Sequence, residues 1–363
     1  MNNFTIKGSW WLPSNYDEKL YGQLIFEKDK GATLELMSGF KRMSIDTRQL
    51  YHYDIILGLS IDGKHVTLHN CAVSKLSFYT LGKLGNILLD VQYVFIGTHF
   101  NNKEEMRFSK LIGSFSQLEE WSGMNGFNIE LKGDKCLNVE YNLPEQITAE
   151  TDKFTIMITP SLCPPSYPYK EEITLKQNTN LVIKFKEETS FYNILDCCYH
   201  FQRALTLATM EPSSIQELKV SCIPSENAHG SKESEVFFSN NQTNRKQLSP
   251  RNMIFTLPQI KNSFEVFINN WFSKKELFEP VFDLYFGVFY NSNMYLPQRF
   301  LYLINALESY HRRFKKNYVL SKNEHKKRLA LILKTCPQEH ENWLKEKLQY
   351  CNEPSLKTGC KKH

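Results

Sequence analysis

The sequence is short of the features that mark several protein classes. Its 363 residues hold only 16 Gly and 14 Pro, which excludes collagen-like, mucin-like and wholly disordered chains. No apolar run approaches the ~18 residues that cross a bilayer. The opening Met-Asn-Asn-Phe-Thr-Ile-Lys-Gly has no apolar signal-peptide core. A soluble, cytoplasmic chain without membrane contact is therefore expected. The nine cysteines are scattered, odd in number and never spaced Cys-x-x-Cys, so no disulfide framework is expected. Only Cys197, Cys198 and His200 lie close enough to raise the question of a metal. No second ligand pair accompanies them, and both cysteines fall in an apolar helical pattern, where free Cys behaves as a small hydrophobe. No cofactor and no metal are expected.

Nucleotide and hydrolase signatures are missing as well. Gly82-Lys83-Leu84-Gly85 lacks the rest of any phosphate-cradling loop and reads as a turn. There is no His-Glu-x-x-His, Gly-x-Ser-x-Gly or calcium-loop pattern. Asn241-Gln242-Thr243 matches a glycosylation acceptor, which has no meaning without secretion.

What the sequence does hold is aromatic core material, with 25 Phe and 18 Tyr, and a length that suits about two domains. The net charge of +5 hides an asymmetry. From Asp283 onward there are 15 Lys/Arg against 7 Asp/Glu, a net of +8, while the preceding part carries a net of −3. A basic C-terminal region points to an anionic partner, nucleic acid being the obvious class, against the plainer reading of solvated helix faces.

The first ~185 residues read as β-rich. Tyr53 to Ile61 is an apolar segment ending in the hairpin signal Ile61-Asp62-Gly63-Lys64. His65 to Cys71, Leu88 to Gly97, Phe127 to Leu131, Phe154 to Thr159 and Leu181 to Phe185 are further strands. Phe108 to Trp121 has helical spacing at Phe108, Leu111, Ile112, Phe115 and Leu118. Thr189 to Met210 is a clearer helix, with Ser190 as cap and Glu211-Pro212 as stop. Ile215 to Cys222 returns to strand. Residues 224–250 are polar, with little to bury beyond Val236-Phe237-Phe238. Helical periodicity follows at Ser263–Trp271, Lys275–Tyr290, from Pro297, at Lys322–Lys334 and at Pro337–Gln349. The fold expectation is α+β: a β-rich domain over 1–223, sandwich or barrel-like with inserted helices, a polar boundary over 224–258, and an incomplete α-helical bundle over 259–363.

Candidate chemistry gathers on the helix after Pro297, at Arg299, Asn305, Glu308, His311, Arg312 and Arg313. Glu308 and Arg312 are i,i+4 neighbours and form a simple ion pair on the plain reading. His311 sits on the apolar stripe. Arg313, Lys315, Lys316, Lys326, Lys327 and Arg328 are the candidate RNA contacts. In the β-rich part, Trp10, Trp11 and His99 would be the first contacts of a small ligand, with burial as the competing explanation.

The order of segments resembles ApeA-type proteins. Ile6-Lys7-Gly8-Ser9-Trp10-Trp11-Leu12-Pro13, Gly22-Gln23-Leu24 and Leu34-Glu35-Leu36 resemble the start of their N-terminal domain. Ile61-Asp62-Gly63 with Val66 to Cys71, then Gly97-Thr98-His99-Phe100, Phe108 and Leu118-Glu119-Glu120-Trp121, resemble its later signatures. Asn270-Trp271-Phe272, Arg299-Phe300-Leu301, Ala306 to Arg312 and Asn352-Glu353-Pro354-Ser355 resemble the beginning of the linked HEPN domain. The resemblance implies a bacterial anti-phage role by abortive infection and a metal-independent, usually dimeric RNase. Its motif is Arg-x(4–6)-His, the His moving a proton at the ribose 2′-OH and the Arg stabilising phosphorane charge.

That spacing does not occur. Arg48 and His52 have three residues between them, and Arg299–His311 and Arg328–His340 have eleven each. The resemblance places the motif well beyond Asn352-Glu353-Pro354-Ser355, and the ending Gly359-Cys360-Lys361-Lys362-His363 has no apolar period. The expectation is therefore a C-terminally truncated, catalytically silent member with a sensing or interaction N-terminal domain. The alternative is a non-enzymatic interaction or ligand-binding module that pairs through exposed helices with a second copy, an intact homologue or another partner. The phage trigger is not legible.

Overall fold

Gly63 adopts φ +81° and closes a tight hairpin: its N–H donates to Ser60 O at 3.0 Å, and Ser60 N–H donates to Lys64 O at 3.0 Å. That turn joins the two strands anticipated on either side of it. The computed structural model describes residues 1–40, 52–78, 84–133, 136–165, 173–222, 233–240, 248–291, 293–314 and 319–352. Gly82 and Lys83, Arg48, Lys315, Lys316, Cys360 and residues 353–363 lie outside them.

Six strands close a barrel: β1 (Phe4–Leu12), β2 (Asn15–Glu27), β3 (Gly31–Leu36), β4 (His52–Ser60), β5 (His65–Phe78) and β6 (Leu84–Ile96). All pairings are antiparallel, in the order β6-β3-β2-β1-β4-β5, and β5 returns to β6. Period-two alternation decides which side chains fill it. Phe4 lies opposite Phe26, Ile6 opposite Leu24 and Trp10 opposite Leu20. Leu24, Phe26, Leu34, Leu36, Val66, Leu68 and Val94 are buried, each contributing about 1.5–3 kcal/mol by leaving water.

The sheet runs on past the barrel. β7 (Arg107–Phe115) is followed by α1 (Leu118–Ser122) and an exposed ribbon of β8 (Phe127–Lys132) with β9 (Cys136–Tyr141). Next come β10 (Ile147–Glu150), β11 (Phe154–Cys163), β12 (Lys176–Ser190), α2 (Phe191–Thr209), β13 (Ile215–Ser221) and β14 (Glu233–Phe238). The added strands lie in the order β10-β11-β12-β7-β13-β14, and β14 joins the barrel at β6. α2 is capped by the Ser190 hydroxyl, which accepts from Asn193 N–H, and lays Phe191, Ile194, Leu195, Cys198, Phe201 and Leu205 into the core.

Two expectations change here. Phe108–Phe115 is a strand: β7 lies centrally between β12 and β13, so tertiary pairing overrides the apparent helical spacing, and helix starts only at Leu118. A register shift between Lys184 and Thr189 on β12 displaces Phe108 from the alternation of Leu111, Gly113 and Phe115. The polar stretch 224–258 also holds an integral strand. In β14, Val236 and Phe238 are buried, and Phe237 packs edge-on against Phe4 at 4.7 Å.

The chain divides into two compact units, Met1–Phe272 and Ser273–His363, whereas the sequence pattern places the start of the helical region at residue 259. α3 (Leu257–Ile260) and α4 (Phe264–Ser273) lie in the first unit apart from the last residue of α4, and Leu257, Phe264 and Ile268 belong to its core. The second unit is helical: α5 (Lys275–Tyr290), α6 (Leu296–Phe314), α7 (Lys322–Lys334) and α8 (Glu341–Leu348). α5 and α6 pair through Phe278, which stacks on Phe314 at 4.2 Å, and through Gly287 beside Tyr302. No helix among the described residues is long and apolar enough to cross a membrane.

Candidate functional site

The polar residues singled out on the sequence occupy α6 and α7. On α6, Arg312 Nη2 donates to Glu308 Oε1 at 2.9 Å, with Arg312 exposed and Glu308 half-buried, so this is the plain i,i+4 pair, worth a few tenths of a kcal/mol. Asn305 and Arg313 are exposed, and Arg299 is half-buried. His311 is half-buried, and its Nε2 is shielded from solvent without a hydrogen-bond partner among the described residues. On α6 the pair brought together among the described contacts is thus Glu308 with Arg312.

α7 begins at a capping box: the Ser321 hydroxyl accepts from Glu324 N–H, and the Glu324 carboxylate accepts from Ser321 N–H at 3.2 Å. Lys326, Lys327 and Arg328 follow, all exposed. The start of α7 is tied to the turn after α8 by Asn352. Leu320 N–H donates to Asn352 Oδ1 at 2.8 Å, Asn352 Nδ2 donates to Leu320 O at 3.0 Å, and Val319 N–H donates to Asn352 O at 3.0 Å. This is the physical role of the first residue of the Asn-Glu-Pro-Ser segment. Asn352→Ala leaves two partly buried backbone groups of Leu320 short of partners and is expected to cost about 1 kcal/mol, read as a lower urea midpoint for the helical unit while the β-rich unit melts unchanged.

The first unit holds the aromatic and histidine candidates. Trp10 is fully buried inside the barrel and Trp11 is nearly so; both are core residues, not walls of an open site. Trp11 meets the His99 ring edge-on at 5.4 Å. His99 Nε2 is 2.8 Å from Gly58 O; a carbonyl only accepts, so Nε2 carries the proton. His99 Nδ1 then accepts from His65 Nδ1–H at 3.2 Å. Burial chiefly, helped by His65, holds the His99 pKa below the usual histidine range, against the pull of the Gly58 carbonyl.

His69, which the sequence reading did not single out, is 1 % exposed. Its Nδ1–H donates to Asp54 O at 2.9 Å, and its Nε2 accepts from Tyr192 O–H at 2.9 Å. Asp54 in turn holds Lys103 at 2.8 Å, which keeps its carboxylate below the ordinary pKa. A strand alternation assigns His69 only to a face, so the sequence held no signal for the Tyr192 contact 123 residues away. Desolvation lowers the His69 pKa, partly opposed by the Asp54 carbonyl. The unfolded chain binds a proton near pH 6.5 that the folded chain resists, so stability falls as pH drops through that value toward the lower folded pKa. Melting temperature of the β-rich unit is expected to fall between pH 7 and pH 5, and His69→Gln to flatten that slope.

Cys197, Cys198 and His200 do not converge. Cys198 is a buried core residue whose thiol burial pushes upward in pKa. His200 clasps α4: its Nε2–H donates to Trp271 O at 2.9 Å, and Trp271 Nε1–H donates to His200 O at 3.0 Å, with the rings stacked at 5.2 Å. Among the described residues no group of three or more His, Cys, Asp or Glu is placed to hold a metal ion.

Comparison with known proteins accounts for both units. A family model described as ApeA N-terminal domain 1 matches residues 5–271, and one described as Apea-like HEPN matches residues 301–363. Neither the curated proteins nor the solved structures give a match. The first match covers most of the chain, including the closed barrel, the added strands and helices α1 to α3. The chain belongs to the ApeA N-terminal domain 1 family, with an ApeA-like HEPN domain following it.

Proposed function

We propose that this HEPN-type anti-phage protein works by abortive infection, with a β-rich unit that senses or binds a partner and a helical unit that contacts RNA without cutting it. The observation that supports RNA contact is the exposed run Lys326-Lys327-Arg328 on α7, within a region of net charge +8. Phosphate attraction needs only clustered cations. Within residues 1–363 no Arg precedes a His at the four-to-six-residue spacing, so the reading assigns these residues RNA contact and no cutting. Binding of transfer RNA to the full chain, followed by filter retention between about 50 and 200 mM salt, is expected to weaken with a slope of several phosphate contacts. A salt-independent or undetectable interaction contradicts the RNA reading.

A second reading, an interaction module pairing with another copy or a related chain, is favoured by α6. While Ala306 is buried and Tyr310 stacks on Phe278, Phe300 is 62 % and Leu301 56 % exposed, with Leu303 and Leu307 also open to solvent. Light scattering that finds a monomer with no hydrophobic-dye binding contradicts it.

A further inference from the structure

The outer wall of the barrel carries a cleft that none of the chemistry above uses. Two rows of side chains cross the strands there. Lys7, Gln23 and Glu35 stand opposite one another on β1, β2 and β3, with Ile61 beside Lys7 through an N–H to Lys7 O bond of 3.0 Å. Leu59, Ser9 and Tyr21 form the second row on β4, β1 and β2, with Met37 beside Tyr21 through an N–H to Tyr21 O bond of 3.1 Å.

The rows are two residues apart along each strand, hence about 6.8 Å apart. Between them the paired residues are Gly8 and Gly22. A Cβ on Gly8 would lie 2.3 Å from Leu59 O and one on Gly22 would lie 2.2 Å from Glu35 O, so the strands coil here more tightly than any other residue allows. The result is a cleft of about 590 Å³, within the range of small-molecule sites.

The lining selects a class of ligand. Tyr21 is 71 %, Met37 68 % and Ile61 81 % exposed, an apolar and aromatic wall left open to water. A slot between two side-chain rows admits one planar ring, which can stack on the open face of Tyr21. At its side, Gln23 Nε2–H donates to Glu35 Oε2 at 2.8 Å, leaving amide and carboxylate positions that match the donor and acceptor edge of a base. Asn86 adds a further amide to the lining. Lys7 is exposed, with no ion pair seen among the described residues, so its ammonium is available to an anion one row-position from the ring. A bare anion is disfavoured by Glu35, and a purely aliphatic ligand leaves the amide and carboxylate row unused.

We propose that this cleft binds a nucleobase carrying a phosphate, either as a free mononucleotide or as one nucleotide of a single-stranded RNA. The proposal supplies a ligand class for the sensing role given to the β-rich unit and rests on that reading for its biological meaning. Its site is separate from the basic face of α7.

Equilibrium dialysis of the full chain against AMP, GMP, CMP and UMP tests it, with ribose 5-phosphate, inorganic phosphate and a single-stranded RNA pentamer as further arms. At least one mononucleotide is expected to saturate the protein, and Tyr21→Ala and Lys7→Ala to weaken it by about tenfold, the size of one stacking or charged contact. Both side chains are exposed, so the variants are expected to melt as the parent does. Tyr16→Ala, an exposed tyrosine outside the cleft, and the combined Lys326→Ala, Lys327→Ala, Arg328→Ala variant are expected to bind the mononucleotide unchanged. A pentamer that binds more tightly and also loses affinity on Tyr21→Ala assigns the ligand to RNA; equal affinity assigns it to free nucleotide. No saturation by any mononucleotide up to roughly 10 mM, equal competition by inorganic phosphate, or unchanged binding by Tyr21→Ala overturns the proposal. Because the α7 variant separates the two surfaces, loss of RNA binding there with intact mononucleotide binding is a failure of neither.

Discussion

Trp10→Ala is expected to destabilise the β-rich unit by about 3–5 kcal/mol, the usual cost of emptying a large aromatic site in a closed core. Trp10 has no exposed surface and stands opposite Gly58 on β4. The fit is one-sided: a Cβ on Gly58 would lie 2.3 Å from the Trp10 ring, so glycine there and tryptophan on β1 are chosen together. In a six-strand barrel the cavity left by alanine cannot collapse without moving hydrogen-bonded strands, which places the cost in the upper part of the range. The indole N–H finds no hydrogen-bond partner among the described residues, so Trp10→Phe loses packing volume and is expected to cost clearly less than the alanine change. For a unit of this size the alanine variant lowers Tm by roughly 10 °C. Equal Tm values for Trp10→Ala and the parent, measured by near-ultraviolet circular dichroism, contradict Trp10 as the barrel's filling residue.

Removing the three cations of α7 together, Lys326→Ala, Lys327→Ala and Arg328→Ala, is expected to lower RNA affinity by about 10- to 100-fold at 0.1 M salt and to reduce the salt slope by about two. All three side chains are exposed, and α7 keeps its Ser321–Glu324 capping box, so the helix survives; alanine is the better helix former in any case. A decrease in affinity without a decrease in salt slope points to a structural effect and contradicts direct phosphate contact. Glu308 and Arg312 serve as the comparison. Their pair is already satisfied in water, and breaking it with Glu308→Gln is expected to change RNA affinity by less than threefold.

The parts of this fold that the sequence made legible are those whose period is decided locally. Tyr53–Ile61 and His65–Cys71 became β4 and β5 because alternation and Asp62-Gly63 agree. Thr189–Met210 became α2 because Ser190 caps it and Glu211-Pro212 ends it. β7 was misread because Phe108, Leu111, Ile112 and Phe115 fit a helix as well as a strand, and only its two flanking partners, β12 and β13, decide between them. β14 escaped notice because three apolar residues in a polar stretch carry no period of their own; its reason to exist is the open edge of β6. Closure of the barrel depends on β1–β4 and β3–β6 pairing, which no short window of sequence contains. The basic run of α7 could be read from charge alone. Lys7, Tyr21 and Gln23 could not be recognised as a cleft, because outward-facing strand positions look alike until neighbouring strands set them in rows.

His69 illustrates the remaining gap. Its burial and its bond to Tyr192 join β5 to the first turn of α2, a contact that arises only once the barrel and the added sheet share one core. Asn352 marks the opposite case: its place in a recognisable segment was visible, and the three hydrogen bonds to Val319 and Leu320 now give that place a mechanical reason.

The central claim is that the helical unit engages RNA but does not cut it, and the most direct test is incubation of the purified full chain with total RNA and transfer RNA in the presence of a metal chelator. Retarded but intact RNA on native and denaturing gels is the outcome this account predicts. Robust cleavage that persists with chelator and scales with protein concentration contradicts it, and would place a catalytic constellation among residues other than an Arg-x(4–6)-His pair.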